Sequence, residues 1–321
     1  MSAPRVCFVV AAYNQARWVR AACEAALAQT HTPLHILFSD DGSGDDTFAI
    51  MTAVAEAYRG PHQVTLNRNP SNLGLIDHIN RVHALADADL LVIAAGDDCS
   101  LPGRTAALVD AFHATKGRAF SFHSAVHTMD ENGRVTGQWQ PPLTDNHPDP
   151  ARWATAMGTL IGASHAWTRP LFERFGPLTV RGAYEDLVLA YRAMLLGGLH
   201  YLDTPLVQYR QNVGLASGGD GRPPRERLLR SLDLKIAVFE QRRLDCLHIG
   251  RVALAEHLQQ TLKSLELQRD IVMRQLPMTT ALVALLRPTS CRAALKGLWA
   301  RVRFFMLVRL AERPSGPSQR P

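Results

Sequence analysis

Leu90-Leu91-Val92-Ile93-Ala94-Ala95-Gly96-Asp97-Asp98 is the stretch on which the fold turns. Six apolar residues with no polar interruption read as a strand buried on both faces, the pattern of a parallel sheet. Gly96 and two aspartates end it abruptly. Upstream the same alternation repeats. Strands are predicted over 6–12, 34–38 and 64–66, and helices over 15–28, 45–58 and 75–86. The second strand runs into Ser39-Asp40-Asp41-Gly42-Ser43-Gly44, a second acidic pair. Strands alternating with helices imply a Rossmann-like α/β sheet flanked by helices. Ligands of such sheets bind beyond the carboxyl ends of the strands, where both Asp-Asp pairs fall.

Downstream the pattern is mixed. Residues 120–128 and 135–139 are expected to form a hairpin around Asp130-Glu131-Asn132-Gly133, 159–167 and 202–209 to be strands, and 184–196 to be a helix opening on Glu185-Asp186. Residues 225–250 and 253–276 carry apolar positions at helical spacing, so a C-terminal helical extension is expected. The domain reading is a catalytic domain over 1–221, a helical hairpin over 222–276 and a basic amphipathic tail over 277–321, its last ~8 residues disordered for want of apolar content.

Composition narrows the function. The 321 residues carry 35 basic and 29 acidic side chains, a net charge of +6. Residues 277–321 hold eight basic residues and one acidic one, so the first 276 residues are slightly acidic. A basic nucleic-acid-coating surface over the body is excluded, and no nucleic-acid partner is expected. The five cysteines are scattered with no C-x-x-C, which predicts neither disulfides nor a zinc ribbon and suits a reducing cytoplasm. No signal peptide and no membrane span are expected. The tail interleaves Arg292, Lys296 and Arg303 with Trp299, Phe304 and Phe305. It reads as a helix lying on the inner face of the cytoplasmic membrane, or as a self-association surface within 222–321.

The acidic residues carry the chemistry. Two Asp pairs in one crevice repel unless a cation lies between them. A hard divalent ion held by one or two carboxylates and by substrate phosphate oxygens is the usual solution, and a carboxylate at the start of the helix near 184 could serve as general base on a hydroxyl. The competing reading is that each aspartate caps the helix after it. Other motifs are absent: no G-x-G-x-x-G follows the first strand and there is no P-loop. His123 and His127 share a strand face but are read as unliganded; Trp153 and Trp167 suit either an acceptor surface or the core.

In this order and spacing the motifs resemble the family 2 glycosyltransferases, which have the GT-A fold, over residues 5–215. The match comprises Val9-Val10-Ala11-Ala12-Tyr13-Asn14, Ala28-Gln29-Thr30, Asp40 through Thr47, Asn72-Leu73-Gly74 with Asn80, Gly96 through Pro102, Glu185-Asp186-Leu187 and Tyr209-Arg210. The resemblance implies an inverting transfer from a nucleoside-diphosphate sugar, a UDP-sugar favoured, to a saccharide or lipid-linked acceptor of the cell envelope. It implies that Ala12, Tyr13, Asn14, Asp40, Asn80 and Arg210 hold the nucleotide-sugar. Asp97 would hold the ribose or the diphosphate region, Asp98 would ligate Mn²⁺ or Mg²⁺, and Asp186 would be the catalytic base beside Glu185. Two positions depart from the family pattern: Ala95 replaces an aspartate and Asn212 a histidine. They motivate a rival, a non-catalytic nucleotide-sugar-binding protein of the same fold. A nucleotidyltransferase is disfavoured because Tyr13-Asn14-Gln15-Ala16-Arg17 is not a glycine-rich, basic loop. The Q-x-x-R-W signature of processive synthases is absent, so single additions are expected.

Overall fold

A computed structural model describes residues 3–141, 149–158, 160–213 and 222–274. The elements run β1 (Val6–Ala12), α1 (Val19–Leu27), β2 (His35–Asp40), α2 (Thr47–Ala57), β3 (Gln63–Arg68), α3 (Leu75–Leu85), β4 (Leu90–Ala95), β5 (Cys99–Ser100), α4 (Arg104–Thr115), β6 (Ser121–Met129) and β7 (Val135–Trp139). There follow α5 (Pro150–Trp153), β8 (Ala166–Thr168), α6 (Arg169–Phe175), α7 (Glu185–Leu195), β9 (Leu199–Arg210), α8 (Pro224–His248) and α9 (Val252–Arg274).

Among the described residues nine strands form one mixed sheet in the order β3-β2-β1-β4-β8-β6-β9-β5, with β7 paired to β6. The first four strands are parallel, as the unbroken apolar runs predict. Alternate residues of β1 enter two cores. Cys7 and Val9 face α3 and α7, while Val6, Phe8, Val10 and Ala12 face α1 and α2. A fully buried side chain such as Phe8 contributes roughly 1.5–3 kcal/mol. Register fixes the functional edge: Ala11 lies opposite Ser39 and Ala95, and Ala12 opposite Asp40. Three strands therefore end level.

Two local expectations change. The first helix begins at Val19 rather than at 15. The amides of Gln15 and Ala16 are donated to Thr47 Oγ1 at 2.7 Å and Asp45 Oδ2 at 3.1 Å, so this segment is spent docking one loop on another. The strand expected over 159–167 contracts to Ala166–Thr168, preceded by a 3₁₀ turn at Gly162–Ser164. The turn arises where Gly162 packs beneath the carboxylates of Glu185 and Asp186.

The helical pair α8–α9 is not a detached extension. Leu232, Val238, Phe239 and Cys246 of α8 and Leu258 and Leu262 of α9 share one core with Leu187, Val188 and Tyr191 of α7. Arg192 of α7 and Asp245 of α8 form a bidentate ion pair, both bonds 2.9 Å, with Arg192 fully buried. No helix among the described residues is long and apolar enough to cross a membrane. The tail over 277–321 lies outside the described residues.

Candidate active site

The loops after β1, β2 and β3 lock together through polar groups. Asp40 is fully buried; its Oδ2 accepts from Ser43 N at 3.0 Å, its Oδ1 from the Ser43 hydroxyl, and Arg68 Nε lies 3.5 Å from Oδ2. Asn14, at φ 52°, donates its amide to Ser43 Oγ at 2.8 Å and accepts from Gly44 N at 2.9 Å. Asp41 accepts from Asn69 Nδ2 and from the amides of Leu73 and Gly74, at 2.8, 3.0 and 3.0 Å. Tyr13 stands exposed beside this framework. Gly42 is the tightest point: it has φ +70°, and a Cβ there would lie 2.5 Å from the Ser71 carbonyl carbon. Gly42→Ala should cost roughly 1–3 kcal/mol from overpacking against rigid backbone. Chemical denaturation measures the loss.

Beyond β4, Gly96 donates its amide to Ala11 O at 3.0 Å, and a side chain at Gly96 would strike Ala12. Asp97 and Asp98 are both buried. Asp98 Oδ1 accepts the Arg210 amide at 2.7 Å. Burial raises the proton affinity of both carboxyls, with the Asp97 charge adding to the effect on Asp98; the Gln15 amide and Arg210 oppose it at Asp97. Such a pair gains from a cation. No group of three His, Cys, Asp or Glu that could hold a metal exists among the described residues, so an all-protein cage is absent. Two hard oxygen ligands with the remainder supplied by a diphosphate and water is the arrangement magnesium and manganese accept. The donor set fits a divalent ion of that kind.

The second acidic pair opens α7, where negative charge is favoured by the helix dipole. Glu185 is buried and Asp186 keeps access to solvent. Asp186 Oδ1 accepts the Leu187 amide at 2.6 Å. Burial pushes Glu185 up to about 8, with the Asp186 charge adding to it. Burial also lifts Asp186, to about 6, against the Leu187 amide, the Arg242 charge and the Gly162 amide. The two carboxyls titrate as a pair that keeps one proton near neutrality.

Tyr209 joins the two acidic sites. Burial raises its hydroxyl to about 12, and the charges of Asp98, Asp97 and Asp186 add to the rise. Its ring packs with Ala95, Trp139 and Ile161 around Val126, Ala163 and Val207. Both carboxylate pairs thus flank one cluster at the carboxyl edge of the sheet: Ala95 leads into Asp97-Asp98, and Gly162, between Ile161 and Ala163, lies beneath Glu185 and Asp186.

Ala12 ends β1 opposite Asp40, Tyr13 and Asn14 follow it, Asp97 and Asp98 follow β4, and Glu185 and Asp186 open α7. Asn80 stands on α3 with both ends of its amide committed to Leu178, at 2.8 and 2.9 Å, which ties α3 to the chain leading into α7. Arg210 is buried; its Nε donates to Asp97 O at 2.9 Å and its Nη1 to the carbonyls of Asp130 and Glu131 at 3.0 and 2.9 Å. It ties the Asp97 backbone to the β6–β7 turn. Trp153 and Trp167 are buried in the main core, which removes them as an acceptor surface. His123 is buried. Sequence reading passed over Gln15, whose side chain meets Asp97, and Gly162. Neither residue type carries a signal by itself. It also passed over Arg242, which did: a charged residue at helical spacing from Phe239 and Cys246, on an otherwise apolar face.

Residues 7–174 match the profile described as Glycosyl transferase family 2. An uncharacterized glycosyltransferase of Nostoc sp. (strain PCC 7120) is 25% identical over 221 residues, 64% of this chain and 64% of that protein. The chain therefore spans just under two thirds of the length of that curated relative. Among solved structures, residues 1–349 of S. aureus TarS in complex with UDP-GlcNAc superpose with a TM-score of 0.56 at 16% identity, covering 95% of this chain and 81% of TarS 1–349. A mannosyltransferase from Pyrobaculum calidifontis, in complex with GDP-Man and Mn²⁺, superposes with a TM-score of 0.54 at 17% identity, covering 96% and 84%. At these identities the superpositions speak for the fold.

Proposed function

The chain belongs to glycosyl transferase family 2, and from that membership we propose that it is an inverting, metal-dependent enzyme moving a sugar from a nucleoside diphosphate to an acceptor hydroxyl. The observation that carries the reading is that Asp97-Asp98 and Glu185-Asp186 flank one cluster, in which Ala95, Ile161, Ala163 and Tyr209 pack together.

In this reading the loop framework of Asn14, Asp40 and Ser43 shapes the floor on which the nucleotide rests, with Tyr13 exposed at its rim. Asp98, with Asp97 beside it, holds a divalent ion, which when bound neutralises charge on the departing diphosphate. Glu185 retains its proton, so Asp186 is the ionised member at neutral pH. An environment that separates two carboxyls in this way assigns their roles. Asp186 takes the proton of the acceptor hydroxyl as its oxygen bonds to the anomeric carbon. The bond to the diphosphate oxygen breaks on the opposite face, its electron pair leaves with the nucleotide, and the anomeric configuration inverts.

A cell-envelope acceptor, saccharide or lipid-linked, follows from the family resemblance and from the basic residues over 277–321. A peripheral position on the inner face of the membrane suits the same charge. Vesicle flotation of the full chain against one ending at 276 tests that part, and equal flotation would remove it.

The donor is tested by thermal shift with UDP- and GDP-sugars, with and without Mn²⁺. At least one nucleotide sugar should raise the melting temperature by several degrees at saturation, and more with Mn²⁺ than without. No shift with any of them would overturn the reading. A shift without transfer or donor hydrolysis would favour the non-catalytic binding protein, to which Ala95 and Asn212 point.

A further inference from the structure

The acidic pair that opens α7 lies beyond the family-matched residues 7–174, and so does the helix that packs behind it. From α8, Arg242 reaches in as a fully buried cation. Its Nη2 and Nε donate to Leu187 O at 2.7 and 3.2 Å. Its Nη1 donates to the carbonyls of Trp153, Ala154 and Ala156, at 3.0, 3.0 and 2.8 Å. The guanidinium also lies over the rings of Tyr191 and Phe239, 5.1 and 5.7 Å from their centroids. All five hydrogen bonds go to neutral carbonyls, and Asp245, the carboxylate one turn along, is bound to Arg192 instead. Desolvating a cation without a directly bonded carboxylate is costly, and a neutral residue of the same volume would fill the space without that cost.

We propose that Arg242 is a positioning residue for the base: it fixes the first turn of α7 through the carbonyl next after Asp186, and it presents its positive charge to the Asp186 carboxylate from behind. The inference deepens the proposed function and rests on Asp186 being the base.

The charged and titratable groups that face Asp186 are Glu185 from its own helix, Tyr209 from β9 and Arg242 from α8. An ionised Glu185 opposes a second negative charge, whereas Tyr209 is neutral near neutrality, its own ionisation opposed by the Asp186 charge. Arg242 acts in the other direction, and its own proton is held less tightly through burial, at about 10. At neutral pH it stays cationic. A base beside another acid, with its proton affinity raised by burial, would otherwise be more fully protonated where the enzyme works; the cation behind it keeps the carboxylate available. Geometry and charge come from one side chain, so motion of α8 disturbs both together.

The test is a carboxyl titration that requires no knowledge of the sugar. The full chain is labelled with ¹³C at aspartate carboxyls, and the Asp186 resonance is assigned by its loss in Asp186→Asn. Its midpoint is then followed in the wild type, in Arg242→Gln and in Arg242→Lys. Arg242→Gln should raise the midpoint by about one pH unit or more, and Arg242→Lys, which keeps the charge but loses the fork, by a smaller step. A residue that merely filled the core would lower the melting temperature and leave the midpoint where it was. An unchanged midpoint in folded Arg242→Gln therefore overturns the inference. Should that variant not fold, an unchanged midpoint in Arg242→Lys overturns it. Failure of the proposed function reads differently: nucleotide sugars would leave melting unaffected while the Asp186 midpoint still moved with Arg242.

Discussion

Asp186→Asn should lower sugar transfer by about 10²–10⁴-fold while leaving unchanged the rise in melting temperature that the donor produces. An amide can accept a hydrogen bond from the acceptor hydroxyl but cannot take its proton, so binding survives and chemistry does not. The pH profile supplies the sign. A base raised to about 6 is active when deprotonated, so the wild-type rate should fall as pH drops through that value. Stability runs the other way. Between the ordinary carboxylate range and the raised values the folded chain binds more protons than the unfolded one, so stability falls as pH climbs through that window. Asp186→Asn removes part of this burden. The variant should therefore be both less active and, at pH 8, more resistant to heat than the wild type, a combination that damage to folding would not produce. Initial-rate kinetics and calorimetry at pH 5.5 and pH 8 check the two halves.

The second large effect is on stability. Asp245→Leu should destabilise the chain by roughly 3–5 kcal/mol, because it strands Arg192 as a buried charge. That corresponds to a fall in melting temperature on the order of 10 °C. The carbonyls of Gly176 and Pro177 still receive Arg192, at 2.7 and 3.4 Å, but do not replace the carboxylate. Adding Arg192→Met should recover most of the loss, since a buried ion pair exchanged whole for apolar side chains is close to neutral. Denaturant unfolding of the single and double variants measures the difference. A double variant no better than Asp245→Leu would mean that Arg192 acts chiefly through the Gly176 and Pro177 carbonyls.

The difference between what the chain announces and what it conceals follows from how each part is encoded. The parallel half of the sheet is legible because β1 and β4 are buried on both faces and therefore apolar without interruption. Asp97-Asp98 and Glu185-Asp186 are legible because acidic pairs beside apolar elements have little structural reason to be there. The onset of α1 was misread because Gln15 and Ala16 look helical in composition, while their amides are claimed by Thr47 and Asp45, some thirty residues away. Long-range bonds of this kind leave no periodicity. The intramolecular bonds of Asn80 and Arg210 were hidden for a related reason: both grip backbone carbonyls far away in sequence. Arg242 is the reverse case, a visible anomaly on an apolar helical face whose meaning depended on finding what lay opposite.

The buttress behind α7 also fixes when the crevice can work during the protein's own synthesis. Both acidic pairs are in the nascent chain once Asp186 has been added. Yet the carbonyl of Leu187 receives Arg242, and the guanidinium of Arg192 its carboxylate, only from α8, more than fifty residues later. At an elongation rate of about 5–20 residues per second, that interval lasts several seconds. Once Arg210 has been added the strands of the sheet are all present, but the first turn of α7 still lacks Arg242 behind it. A clipped chain ending between Arg210 and Arg242 is thus a different object from a shortened enzyme: it keeps the strands and their acidic edge, and lacks the part that sets the base.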